Sequence, residues 1–192
     1  MEFSAVILAG GKSSRMGCDK AFLEIGGQTL LTRQIQLVRA AGAAEVFISG
    51  RAGVDYSASG NRVLTDKFPD AGPLAGIASA LEAMTSPRLL VLAVDLPGMT
   101  ADFLRTLAED CPENCGVVPR VHGNLEPLAA IYPKAALPLA TALLAEKNFA
   151  VRSFATRCEQ AGLVSFVEYR ETAASFFWNW NSPTDRPAAG AA

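Results

Sequence analysis

The stretch FSAVILAGGKSSRMGCDK (Phe3–Lys20) changes character at its middle. Phe3 to Ala9 is a continuous apolar run bounded by glycines, the mark of a strand buried on both faces. Gly10 and Gly11 end that run, and Lys12, Arg15, Asp19 and Lys20 follow at once. A double-sided strand is expected at the centre of an α/β sheet, and the charged loop after it then lies beyond a strand's carboxyl end. That is where ligands sit in such sheets.

The rest of the chain repeats the alternation. QTLLTRQIQLVRAAG carries Leu30, Leu31, Ile35, Leu37 and Val38 at helical spacing, with Gly42 suited to its end. AEVFIS and NRVLTD read as strands, and AGPLAGIASALEAM as a loop entering a helix. RLLVLAVD (Arg88–Asp95) is a second wholly apolar strand. TADFLRTLAEDC begins a helix at Thr100. CGVVPR and EPLAAIY read as strands, KAALPLATALLAEK and AVRSFATRCEQA as helices, the first broken or kinked by Pro138. LVSFVEY and FFWNWN have β character. Alternating strands and helices predict a three-layer α/β domain with a mostly parallel central sheet. One domain over residues 1–186 and a disordered tail at 187–192 are expected.

Composition narrows the chemistry. Half of the 192 residues are hydrophobic and 19% are charged, which fits a globular chain with a core. A net charge of −2 gives no electrostatic case for a nucleic-acid or membrane surface. The start MEFSAVILAGGK lacks a signal peptide's basic segment, and LLVLAV is far shorter than the ~20 residues of a membrane span. A cytoplasmic setting is expected. Cys18, Cys111, Cys115 and Cys158 form no C-x-x-C pair, so reduced structural thiols are expected. The single histidine, His122, excludes a multi-histidine metal centre, and RVHGNLEP reads as a turn.

The opening loop is neither of the common phosphate motifs. A Walker A sequence needs glycine where Val6 stands, and the dinucleotide fingerprint fails at Lys12 and Arg15. What remains is G-G-x-x-x-R-M-G-x-D-K. Adjacent glycines let backbone N–H groups converge on an anion. Arg15 can grip phosphate oxygens as a fork while Lys20 supplies a compact charge. The competing reading is a solvated βα loop. Polar residues also follow other strands: Asp66 ends the third and Asp95 the fourth. Asp95 leaves a dry apolar strand, and a buried carboxylate needs a cation, an N–H or a metal. Magnesium takes as few as one protein carboxylate, water and phosphate supplying the rest. On residue type alone Asp66 reads as a strand-terminal turn former, and DAGPLAGI (Asp70–Ile77) reads equally as a helix-entry loop.

The segment Leu8-Ala9-Gly10-Gly11, Arg15, Met16, Gly17, Asp19 and Lys20 resembles the signature of a nucleotidyltransferase family. That family includes the molybdenum cofactor guanylyltransferases (MobA type), with cytidylyl- and sugar-phosphate nucleotidylyltransferases as relatives. The resemblance runs from Phe3 to about Asp185 and implies a Rossmann-like nucleotidyltransferase fold. It implies that Leu8, Ala9, Gly10 and Gly11 meet the base, that Arg15 and Lys20 serve the triphosphate, and that Asp66 and Gly72 contact the nucleotide. Asp95 in D-x-P matches the family's metal-binding aspartate and implies Mg²⁺. FWNWNSPTD resembles an N-x-N-T-P element, with Ser182 for threonine. It implies an acceptor site made by Asn179 and Asn181, with Arg152 facing the second substrate. Where guanylyl enzymes often carry an asparagine on the nucleotide, this chain has Ser49.

The activity implied is Mg²⁺-dependent transfer of GMP from GTP to the terminal phosphate of molybdenum-bearing molybdopterin, releasing pyrophosphate. Small-molecule substrates are expected as partners, with transient contact to molybdoenzymes or their chaperones, and no nucleic acid or membrane. The alternatives are a relative using CTP or a sugar phosphate, and a non-catalytic GTP-binding module that delivers cofactor.

Overall fold

A computed structural model of the chain describes residues 2–10, 19–65, 68 and 70–180. In chain order the strands and helices are β1 (Ser4–Leu8), a small hairpin of β2 (Glu24–Ile25) and β3 (Gln28–Thr29), α1 (Leu30–Ala40), β4 (Glu45–Ser49), β5 (Arg62–Leu64), α2 (Pro73–Ala83) and β6 (Arg88–Ala93). There follow α3 (Ala101–Glu109), β7 (Gly116–Val121), β8 (Asn124–Leu125), β9 (Ala129–Pro133), α4 (Leu137–Ala145), α5 (Val151–Gln160) and β10 (Val164–Glu168). The main sheet has the order β10-β7-β9-β6-β1-β4-β5, with β8 beside β7. β1 runs parallel to both β4 and β6, β4 to β5, and β7 to β10. Only β9 and the short β8 oppose their neighbours. The expected mostly parallel sheet is present, and the helices cover both of its faces.

β1 shows why its sequence has no polar side. Ala5 and Ile7 join one core with Leu30, Ile35 and Val38 of α1 and Phe103, Leu104 and Leu107 of α3. Val6 and Leu8 join the other, with Leu74, Ile77 and Leu81 of α2, Leu143 of α4 and Phe154 of α5. β6 divides its leucines the same way. Side chains alternate across a strand, so a strand between two helical layers is apolar on both of its faces.

Two threonines cap helices, Thr100 as the sequence names and Thr29 besides. Thr100 Oγ1 accepts from the Phe103 N–H at 3.2 Å, and Thr29 Oγ1 accepts from the Thr32 N–H at 3.1 Å. The KAALPLATALLAEK stretch divides into a 3₁₀ turn at Lys134–Ala136 and α4. Pro138 stands in the first turn of α4, where its missing N–H leaves no bond unmade. His122 and Gly123, at φ 50° and 74°, form the tight turn between β7 and β8. His122 is half exposed there, its Nε2 4.0 Å from a Glu171 carboxylate oxygen.

One element differs from expectation. The described part of FFWNWN, residues 176–180, is not a strand: Phe176 and Phe177 close a 3₁₀ helix, Glu171–Phe177, and residues 178–180 have no regular pairing. Both phenylalanine rings pack on Phe103 of α3, at centroid separations of 4.9 and 5.4 Å. Aromatic richness favours whatever half-buried surface is on offer, and here the surface is a helix.

Candidate active site at the carboxyl edge of the sheet

Three adjacent strands end together. Leu8 is level with Ser49 of β4 and with Ala93 of β6. The stitching continues one residue further: the Ala9 N–H donates to Ser49 O at 2.8 Å, and the Val94 N–H to Leu8 O at 3.1 Å. Gly10, Gly50 and Asp95 therefore emerge from one line. Leu8, Ala9 and Ser49 are buried at that line, while Gly10 is exposed.

The helix behind this edge approaches unusually closely. A Cβ on Gly76 would stand 2.2 Å from Ser49 Oγ and 3.0 Å from Leu8 Cδ2. Gly76 thus lets the first turns of α2 seat directly on the ends of β4 and β1. Gly72, exposed at φ 66°, caps that helix, with Pro73 in its first turn. Ser49 is committed to this seat, its hydroxyl facing Gly76.

The end of the opening loop meets the end of β6. Lys20 Nζ donates to Asp95 Oδ2 at 2.9 Å, and the two side chains are 17% and 24% exposed. Lys20 opens a 3₁₀ turn, Lys20–Phe22, capped by Asp19, whose Oδ1 accepts from the Ala21 N–H at 3.0 Å. The other Asp19 oxygen accepts from the Tyr56 hydroxyl at 2.7 Å. That hydroxyl accepts in turn from the Arg51 N–H at 3.1 Å. The Tyr56 ring lies where a Cβ on Gly50 would be, 2.3 Å away, and stacks on Phe22. Burial pushes the Tyr56 phenol up to about 12, so at neutral pH it is a proton donor. A chain of contacts thus runs Arg51–Tyr56–Asp19–Lys20–Asp95.

The chain's last described segment closes the other side of Asp95. The Trp180 N–H donates to Asp95 O at 3.0 Å, and the buried Trp180 ring belongs to the α1/α3 core. A Cβ on Gly98 would stand 2.2 Å from Ser175 O, so the turn after Asp95 and the 3₁₀ helix before Trp180 touch backbone to backbone. Asn179, next to Trp180, is exposed beside that turn, on irregular chain and not on the strand face expected. Arg152 is exposed in the first turn of α5. Its charge opposes the upward push that burial gives the Glu126 carboxyl.

Of the residues singled out from sequence, Leu8, Ala9, Gly10, Ser49, Gly72, Lys20 and Asp95 converge on this edge. Arg152 stands beside Glu126 instead, with no contact to the Lys20–Asp95 pair among the described residues. Gly11, Arg15, Asp66, Asn181 and Cys18 lie outside the described residues, as does the 187–192 tail. Tyr56, Gln34 and Trp180 escaped the sequence reading. Gln34 alone left a signal, as a polar residue inside the apolar stripe of α1.

Asp95 Oδ1 accepts no hydrogen bond among the described residues, while Oδ2 faces Lys20. A hard, partly exposed carboxylate oxygen at a strand end suits Mg²⁺, provided substrate and water fill the remaining positions. No cluster of three or more histidine, cysteine or acidic groups able to hold a metal occurs among the described residues. No helix among them is long and apolar enough to cross a membrane. Cys111, Cys115 and Cys158 carry free thiols.

Parallel strands ending at one polar edge, between two helical layers, make a Rossmann-like α/β fold, the fold also found in solved nucleotidyltransferases. A nucleotidyl transferase from Methanothermobacter thermautotroptrophicus superposes with a TM-score of 0.76 at 20% identity, covering 96% of this chain and 94% of its own. The molybdopterin-guanine dinucleotide biosynthesis protein A of Archaeoglobus fulgidus gives 0.67 at 21%, covering 95% and 94%. The chain belongs to the MobA-like NTP transferase domain family, whose model matches residues 5–161. A relative from Opitutus terrae, named "Probable molybdenum cofactor guanylyltransferase", is 38% identical over 95% of this chain and 92% of its own length. The "Molybdenum cofactor guanylyltransferase" of Xanthomonas euvesicatoria pv. vesicatoria is 40% identical over 59% of this chain and 57% of its own.

Proposed function

We propose that this nucleotidyltransferase moves GMP from GTP to the terminal phosphate of molybdenum-bearing molybdopterin, in the cytoplasm, and releases pyrophosphate. The observation that carries the reading is the Lys20–Asp95 pair at 2.9 Å, which joins the end of the glycine loop to the end of β6. An ammonium and a carboxylate held together at the carboxyl edge support a shared role toward a triphosphate. The names of the relatives supply the guanine and the molybdopterin.

In the proposed step an anionic phosphate oxygen of the acceptor forms a bond to the α-phosphorus of GTP. The bond from that phosphorus to the bridging oxygen breaks, and its electrons leave on pyrophosphate. No proton has to be removed from the nucleophile, which suits a chain whose one histidine sits in a turn. Positioning and charge neutralisation are the whole task. Lys20 neutralises phosphate charge, with Arg15 as a second cation in the same role. Asp95 would hold Mg²⁺, which when bound neutralises charge on the phosphates. Leu8, Ala9, Gly10, Gly11, Ser49, Asp66 and Gly72 are assigned to the nucleotide, and Arg152, Asn179 and Asn181 to the acceptor.

The test is pyrophosphate release from purified molybdopterin, Mg²⁺ and each of the four nucleoside triphosphates in turn. Turnover with GTP alone is expected. Asp95→Ala should still bind GTP but lose on the order of 10²–10³-fold in kcat. A preference for CTP, GTP binding without turnover, or undiminished turnover in Asp95→Ala would each sink the assignment.

A further inference from the structure

Gln34 lies in the apolar stripe of α1, among Leu30, Leu31, Ile35 and Val38, and is fully buried. Burying a primary amide costs free energy unless its polar atoms are met. Its Nε2 donates to Leu96 O at 2.8 Å and, more weakly, to Val94 O at 3.4 Å. One nitrogen thus bridges the two carbonyls that flank Asp95. Because both neighbours are acceptors, the amide can face them only through its nitrogen. Oε1 is left buried without a partner among the described residues. A leucine would fill much the same volume without that cost, so packing does not account for an amide here.

The placement of the amide does. β6 ends at Ala93, and beyond the bond from the Val94 N–H to Leu8 O the neighbouring strand no longer fixes the chain. The carbonyls of Val94 and Leu96 are tied to Gln34, and that of Asp95 to the Trp180 N–H. These ties set the backbone angles of Asp95 and hence the direction of its carboxylate toward Lys20. A backbone rotation of about 20° would carry the carboxylate roughly 1 Å, and a displacement of that size can cost on the order of 10²-fold in rate.

We propose that Gln34 is a positioning residue that acts on the reaction through Asp95, by clamping the carbonyls on either side of it. The proposal rests on the reading of Asp95 as the carboxylate that serves the transferred phosphate.

Gln34→Leu and Gln34→Met keep the bulk and remove the donor. In the full chain either should lower kcat about 10- to 100-fold, with the KM for GTP within about threefold of the parent. The Met99 amide donates to Leu96 O at 3.2 Å, and its hydrogen exchange should quicken about tenfold, a readout independent of turnover. In a double-mutant cycle, Gln34→Leu should add nothing to the loss caused by Asp95→Asn. Parent-like kcat in both Gln34 variants, or losses that multiply with that of Asp95→Asn, would overturn the clamp and leave the role of Asp95 standing. Unfolding of both variants would assign Gln34 to the core and also overturn it. Parent-like turnover in Asp95→Asn would overturn the clamp together with the reading beneath it.

Discussion

Tyr56 ties two loops together through one oxygen. Its hydroxyl is donor to Asp19 and acceptor from the Arg51 N–H, and Asp19 in turn caps the turn that carries Lys20. Tyr56→Phe keeps the ring beside Gly50 and strips both bonds, leaving a partly buried N–H and a carboxylate oxygen short of a partner. We expect a loss of about 1–3 kcal/mol in stability. We also expect a KM for GTP raised roughly 3- to 10-fold with kcat within about twofold, because the turn bearing Lys20 loses its brace while Asp95 keeps its own. Denaturant unfolding and steady-state kinetics check the two parts. Lys20 and Asp95 were legible in the sequence because each follows an apolar strand, and strand ends are where an α/β sheet presents its chemistry. The contacts of Tyr56 and Gln34 were not. Their partners lie 37 and 60 residues away along the chain, and no local pattern records which distant loops will meet.

At the scale of elements, α2 and the strand ends beneath it form a single fitted joint. Gly76→Ala would push a methyl group into Ser49 Oγ and Leu8, and neither strand end can retreat without disturbing the sheet. Overpacking of this kind costs about 1–3 kcal/mol. The melting temperature should fall accordingly, and Ser49→Gly in the same chain should recover part of the loss by vacating the contact. Full stability of Gly76→Ala alone would show that the joint is looser than its geometry. The start of α2 could be read from Gly72-Pro73, but the tightness of its seat could not, since a glycine looks the same whether it serves a turn or a contact. FFWNWN misled for a related reason. Its aromatic residues give it β character on composition, but composition does not say whether a sheet or α3 will cover them. The apolar runs likewise hid the reversal of β9, because a buried strand reads alike in either direction.

Across the whole molecule, burial acts on the protons of its phenols and thiols. It raises Tyr56 to about 12, Cys158 to about 12 and Cys111 to about 11, and pushes Tyr132 and Tyr169 upward as well. In the unfolded chain these groups ionise in the ordinary range of about 8.5–10. As pH climbs past that range the unfolded chain releases protons that the folded one retains, so stability must fall. Thermal melts should give a nearly constant midpoint from neutral pH to about 8.5 and a steady decline from there toward pH 12. A midpoint that rose over the alkaline interval would contradict the sign of every one of these shifts. The three-layer order was legible in the sequence because it depends only on which strands are apolar on both sides.

β1 comes first among the strands in chain order and yet lies near the middle of the sheet. Ser4 pairs with Glu45 on one side and with Leu89 on the other. A chain emerging from the ribosome therefore carries a wholly apolar ribbon whose second edge has no native neighbour until Ala93 has been made. Contacts that span so much sequence form slowly, and an open hydrophobic edge invites pairing with another chain. The central place of this strand, which gathers the reactive loops of the finished protein, makes the newborn one dependent on protection while its sheet is incomplete.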